Sequence, residues 1–387
     1  GAMSFLVLGF ATGITSGFSV VIAQRAGAED REQIRISVAA CCWLCIAVTV
    51  VMTILSVAGA DFLLRIMNTP DDIFRYASGY IRIIFGGLGA SIYYNMIAGI
   101  LRAVGDSRTP LYFLIFSSVF NVVLDIAAVL VFHGGVEGAS FATVISQLIS
   151  AFLCHWYAGR KYPGIWPEKR HWSASLSQGW RHLRIGLPMA LQFSVTAVGI
   201  MILQAYLNGF GSVVIAGYTA AGKVENLVTQ PFTTLAAAME VYCGQNYGAG
   251  RPDRIRKGIS SSLKMGGVAA AGMLVLNVVF GRQMIQIFLE SYDSAIVEYG
   301  YIYLVIIGAF SMVLCMLQIV RSSLQGMGEA LVPMAGGVIE LAARWAGCIC
   351  LLPFGYAGIC FSTPLAWVLA LTLLLVYYKK LGRETKC

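Results

Sequence analysis

The chain has 387 residues, of which 58% are hydrophobic and only 12% charged, with a net charge of +8. Soluble domains carry about 25% charged residues, so this composition excludes a protein whose whole exterior faces water, and lipid must be the solvent for most of it. The positive balance does not point to nucleic acid, because the basic residues fall in short loops between apolar stretches, as topology signals do.

A bilayer-spanning helix needs about 20 mostly apolar residues. Eleven such segments follow one another, near 2–24, 36–59, 76–101, 110–132, 138–158, 185–207, 213–246, 258–280, 296–321, 331–352 and 357–378. The first is too long for a cleavable signal peptide and lacks the basic leader and cleavage site. It carries Gly9, Gly13 and Gly17 at every fourth position, a spacing that lets a neighbouring helix approach closely. Segment 159–184, rich in Arg, Lys and Trp, is expected to be a linker on the cytoplasmic interface. The seventh segment contains Pro231 and should be kinked or lie partly outside the membrane. Pro364 is a second bending point or static kink, inside the last segment. The reading is an all-α polytopic membrane protein with helix bundles at 1–158 and 185–380.

If the loop after the first span is cytoplasmic, one side collects twenty-one basic residues, among them Arg25, Arg31, Arg35, Arg102, Arg108, Arg160, Lys161, Arg251, Arg254, Arg256, Arg321 and Lys379. The other side receives Arg65, Arg75, Arg82 and Arg282. That bias places the C-terminus in the cytoplasm and residue 1 outside.

The chain also repeats itself. Residues 22–35 align with 243–256, matching Gln24/Gln245, Gly27/Gly248, Ala28/Ala249, Ile34/Ile255 and Arg35/Arg256. Residues 101–110 align with 324–333, exchanging Asp106 for Glu329, and 138–143 align with 358–363. The offset is roughly 220 residues throughout, so the chain is two copies of one unit. Both copies have the same orientation, a transporter architecture with the pathway between the halves. The span at 185–207 opens the second copy, and its counterpart would fall before residue 1. The expectation is therefore eleven spans of a twelve-span plan.

Asp125 is the most informative side chain. A carboxylate at membrane depth costs at least ~2.5 kcal/mol and should face a cavity. Asn121 shares its helix face. Asp125 lies roughly 10 Å, and Thr143 roughly 8 Å, below the same surface at about 1.5 Å per residue. Asn121, Asp125 and Thr143 can therefore converge. The set suits a hard monovalent cation, the carboxylate alone suits a proton, and the plainer alternative is a polar tie between two helices.

The second copy has no matching acid, since Asn121 corresponds to Arg344 and Asp125 falls near Cys348. A substrate cavity is expected to draw on Gln192, Gln204, Lys223, Glu225, Arg344, Tyr93 and Met189. Each has a plainer alternative: interhelical hydrogen bonds for the glutamines, an i, i+4 ion pair with Glu340 for Arg344, and simple packing for Tyr93 and Met189. Lys223 and Glu225 are two apart and do not face each other. The ten cysteines lie mostly inside apolar spans. Cys42 and Cys45 have metal or redox spacing but no second pair or histidine ligands, so they are expected to pack. No metal, cofactor or paired catalytic group is expected, and the chain is not read as an enzyme.

These motifs together resemble the MATE (multidrug and toxic compound extrusion) family along essentially the whole chain. The resemblance rests on Gln24–Ala28 and Gln245–Ala249, on Arg102–Pro110, on Asn121 with Asp125, on Gly135–Thr143, and on Gly186-Leu187-Pro188. It implies twelve helices in two bundles, hence a first helix absent from this sequence. It also implies a monomeric, multi-pass cell-membrane antiporter exporting amphipathic organic cations by alternating access, coupled to sodium or proton entry. The family's first-bundle cation site matches Asn121, Asp125 and Thr143, and is completed by an aspartate on the absent helix. A lipid-linked saccharide or lipid flippase is the alternative, and would want more buried cationic residues than Lys223 and Arg344.

Overall fold

The computed structural model describes residues 2–66, 71–289 and 293–384, and every regular element among them is helical. The chain divides into two compact units, Gly1–Leu191 and Gln192–Cys387.

The first unit runs α1 (Ala2–Gly27), α2 (Arg31–Ile66), α3 (Asp71–Gly86), α4 (Leu88–Ala103), α5 (Arg108–Ile126) and α6 (Gly135–Lys161). It closes with the start of α7 (Lys169–Asn208). Phe18, Phe85, Leu88, Ile92, Ile97 and Leu101 are among its fully buried large side chains. The span expected at 76–101 is two helices meeting at 40°. The break falls at Gly87, where a Cβ would sit 2.3 Å from Val144 Cγ2 on α6, so only glycine lets the chain turn against that neighbour. Gly17 does what its spacing predicts: a Cβ there would lie 2.4 Å from Gly186 Cα, so α1 and α7 touch backbone to backbone.

The segment expected as a linker is mostly helical. After a short 3-10 turn at Pro163–Ile165, α7 begins at Lys169 and continues unbroken into the following span. No helix-stopping combination interrupts it, and Pro188 is carried inside the helix. Leu176 and Trp180, four apart, stay largely exposed on its first half, as an interfacial helix face requires.

The second unit contains the remainder of α7, then α8 (Ser212–Val228), α9 (Gln230–Gly248), α10 (Pro252–Gln286), α11 (Ser294–Ala309), α12 (Ser311–Gly326), α13 (Leu331–Cys350) and α14 (Gly355–Glu384). The expected span 213–246 breaks at Thr229 into α8 and α9. Pro231 falls in the first turn of α9, where its missing N–H removes no helix bond. Helices α11 and α12 meet at 55°, repeating in the second copy the break between α3 and α4. The repeat read from short motifs thus extends to the position of a helix fracture.

Seven described helices are long and apolar enough to cross a membrane, or up to nine if each bent pair is one span. The eleven expected segments exceed that number for physical reasons. Breaking at Thr229 leaves α8 with 17 residues and gives α9 the polar Gln230, Glu240, Gln245 and Asn246, and the apolar run of α13 is interrupted by Glu340 and Arg344.

Candidate functional site

Helices α5 and α6 form a hairpin in the first unit, and the three residues expected to converge sit on it. Asn121 Nδ2 lies 3.5 Å from Thr143 Oγ1 across the hairpin, while the Thr143 hydroxyl donates to Ala139 O at 3.0 Å. Asp125 follows Asn121 by one turn on the same face. Its Oδ1 is buried and has no hydrogen-bond partner among the described residues. Buried polar atoms are nearly always satisfied, and an exception calls for an explanation such as an ion or proton.

Directly after Asp125 the helix widens into a π turn at Ala127–Val131, a distortion found often at functional sites. The Gly134 N–H donates to Ala128 O at 2.8 Å. A Cβ on Gly138 would come within 3.2 Å of the Ala128 Cβ. Small residues therefore close the hairpin one turn beyond Asp125, and among the described residues no hydrogen bond or ion pair joins a basic side chain to Asp125.

The start of α5 is fixed by Asp106. Its carboxylate accepts from the Thr109 N–H at 3.0 Å, the Thr109 hydroxyl at 2.7 Å, Lys161 Nζ at 2.9 Å and the Tyr162 hydroxyl at 2.8 Å. Burial alone would raise its pKa, but the bonds from Lys161, Thr109 and Tyr162 outweigh it and hold the carboxyl well below the usual carboxylate range. This clasp joins the end of α6 to the beginning of α5, and so sets the hairpin that presents Asn121 and Thr143 to each other.

The other candidates are placed as follows. Met189 is wholly buried in the first unit, and the Tyr93 ring lies 5.8 Å from that of His155. In the second unit Gln192 accepts from Gln325 Nε2 at 2.7 Å, while Gln204 and Lys223 are exposed. The Lys223 ammonium stands 5.6 Å from the Phe288 ring centroid. Glu225 accepts from the Tyr303 hydroxyl at 2.7 Å. Arg344 pairs with Glu340 at 3.1 Å, and Arg321 takes the other Glu340 oxygen at 2.9 Å. Among the described residues, no hydrogen bond or ion pair joins any two of these seven candidates.

Arg321 corrects the sequence reading. Grouped with loop charges because of its place near a segment end, it lies on α12 with its side chain 13% exposed, beside Glu340 at 6%. The signal that could have found it is Glu340 itself, because a buried carboxylate flanked by one arginine still has lone pairs to satisfy. Cys42 and Cys45 are free thiols. No group of three or more His, Cys, Asp or Glu side chains able to hold a metal occurs among the described residues.

Comparison with known proteins adds the family. The MatE family profile matches residues 2–127 and 188–342. The probable multidrug resistance protein YoeA of Bacillus subtilis is 27% identical over 349 residues, covering 88% of this chain and 74% of its own. The probable multidrug resistance protein NorM of Thermotoga maritima is 28% identical over 344 residues, covering 85% and 70%. Among solved structures, the outward-facing conformation of a multidrug resistance MATE family transporter of the MOP superfamily superposes with a TM-score of 0.91 at 21% identity, over 99% of this chain and 86% of that one. A MOP superfamily transporter from Pyrococcus furiosus gives the same TM-score, identity and coverage. The structural likeness establishes the two-bundle helical fold, and the profile covers both copies of the repeat. The chain therefore belongs to the MatE family of multi-pass membrane transporters, which are not enzymes.

Proposed function

We propose that this protein exports amphipathic organic compounds, organic cations foremost, by alternating access of its two units, driven by inward sodium or proton flow. The coupling ion binds at Asp125, with Asn121 and Thr143 as neutral partners. The observation that carries this reading is the buried, unpartnered Asp125 Oδ1 beside the Asn121–Thr143 contact. A carboxylate kept at that depth without a partner is costly, and an entering cation or proton removes the cost. Relatives named as probable multidrug resistance proteins support the substrate class. The positive-inside bias supports a cytoplasmic C-terminus in the cell membrane.

The test is transport by the purified protein reconstituted in liposomes. Ethidium movement is followed under a sodium gradient alone and a proton gradient alone. One of the two gradients should drive accumulation against the ethidium gradient. Ethidium that merely equilibrates under both would remove coupled export from the account.

A further inference from the structure

A cavity of 660 Å³ opens in the second unit where the α9–α10 turn meets the end of α14. Its charged lining is Arg251, Arg256 and Lys379 against Glu329, with Tyr247 and Tyr378 beside them. Glu329 accepts from the Tyr377 hydroxyl at 2.9 Å, so its charge is already partly satisfied. Arg251 and Lys379 are exposed, and their side chains make no hydrogen bond or ion pair among the described residues. Met327 and Leu381 supply an apolar wall.

Arg35 in the first unit corresponds to Arg256, and Asp106 corresponds to Glu329. Arg35 Nε donates to Gly164 O at 2.9 Å, as Arg256 donates to Gly382 O at 3.4 Å. In the first unit the following chain then supplies Glu168, which pairs with Arg35, and Tyr162 and Lys161 close over Asp106. In the second unit no described carboxylate plays the part of Glu168 for Arg256. Among the described residues, Glu168 meets Arg35 in the first unit, while Arg256 in the second lines a cavity with Arg251, Lys379, Tyr247 and Tyr378.

We propose that this pocket binds the phosphodiester headgroup of an anionic phospholipid. Basic pockets at the positively charged end of a helical membrane protein suit such headgroups. The phosphate oxygens take the place that the Glu168 carboxylate holds in the first unit, bonded by Arg256, Arg251 and Lys379. Met327 and Leu381 face the glycerol and the first acyl carbons. Inorganic phosphate would meet the same charges but gains nothing from that apolar wall, which assigns the site to lipid.

Native mass spectrometry on the purified full chain tests this, with phosphatidylglycerol or phosphatidylcholine titrated into detergent. Phosphatidylglycerol should be retained in preference to phosphatidylcholine. The double variant Arg251→Gln/Lys379→Gln should weaken its retention about 25-fold, or fivefold per basic side chain. Lys169→Gln/Arg184→Gln, which makes the same charge change at exposed positions of the first unit, should leave it unchanged. Equal retention by wild type and the pocket variant would overturn the proposal. So would competition by millimolar inorganic phosphate that strips the lipid.

Discussion

Replacing Asp106 by alanine removes four hydrogen bonds at once: from the Thr109 amide and hydroxyl, from Tyr162 and from Lys161. A hydrogen bond to a charged group contributes about 1.5–3 kcal/mol net. The Lys161 bond is left out of the sum, because its side chain is 44% exposed and exposed ion pairs are weak. The contacts share one carboxylate and do not add in full, which leaves a loss of about 3 kcal/mol. For a folding unit of this size about 2–4 °C is lost per kcal/mol, so the unfolding midpoint in detergent should fall by about 6–12 °C. Asp106→Asn keeps the shape and an acceptor for the Thr109 amide, and should lose about half as much. The pH dependence gives an independent signature. The folded-state pKa is depressed, so the stabilisation is complete above the unfolded-state value of about 4 and fades as pH falls below it. The wild-type and Asp106→Asn midpoints should therefore converge in acid and separate near neutrality. Midpoints for Asp106→Ala within 2 °C of wild type at pH 7, or a gap unchanged between pH 7 and pH 3, would refute the clasp.

Two other substitutions probe packing. Gly17→Ala places a methyl 2.4 Å from Gly186 Cα, and backbone cannot yield as a side-chain tip can. Overpacking should cost about 1–3 kcal/mol despite the better helix propensity of alanine, read as a lower midpoint in detergent, and an unchanged midpoint contradicts the contact. Glu340→Ala strands Arg321 and Arg344 in the interior and should cost about 3–5 kcal/mol. The triple change Arg321→Met/Glu340→Leu/Arg344→Met should recover most of that stability, and a triple variant as unstable as the single one would show that the ions themselves hold α12 to α13.

Much of this protein is legible in its residues, for identifiable reasons. Apolar runs mark membrane helices because lipid leaves no alternative for an unpaired backbone, so the places of α1, α2, α5, α6 and α10 follow from hydropathy alone. Pro231 announces the α8–α9 break through its missing N–H. The α3–α4 break was hidden, because the close approach that requires glycine at position 87 is to Val144, on a helix distant in sequence. The continuity of α7 was hidden too, since a basic, tryptophan-bearing stretch reads as a linker whether or not its backbone stays helical. At the site, helical spacing joins Asn121 to Asp125, and depth along adjacent helices brings Thr143 opposite. The π turn after Asp125 left no mark in the sequence, and Arg321 was misread because its partner Glu340 lies on another helix. The basic pocket left no mark in the sequence, because Arg251, Arg256 and Lys379 come together only where the α9–α10 turn meets the end of α14.

The central claim is that ion binding at one carboxylate powers export. It is tested most directly by gradient-driven ethidium transport in the Asp125→Asn variant, under whichever gradient drives the wild type, with folded protein in the liposomes matched. The account predicts loss of uphill transport by at least about tenfold, the scale set by removing an interaction worth 1.4 kcal/mol or more. Uphill transport at the wild-type rate would contradict it.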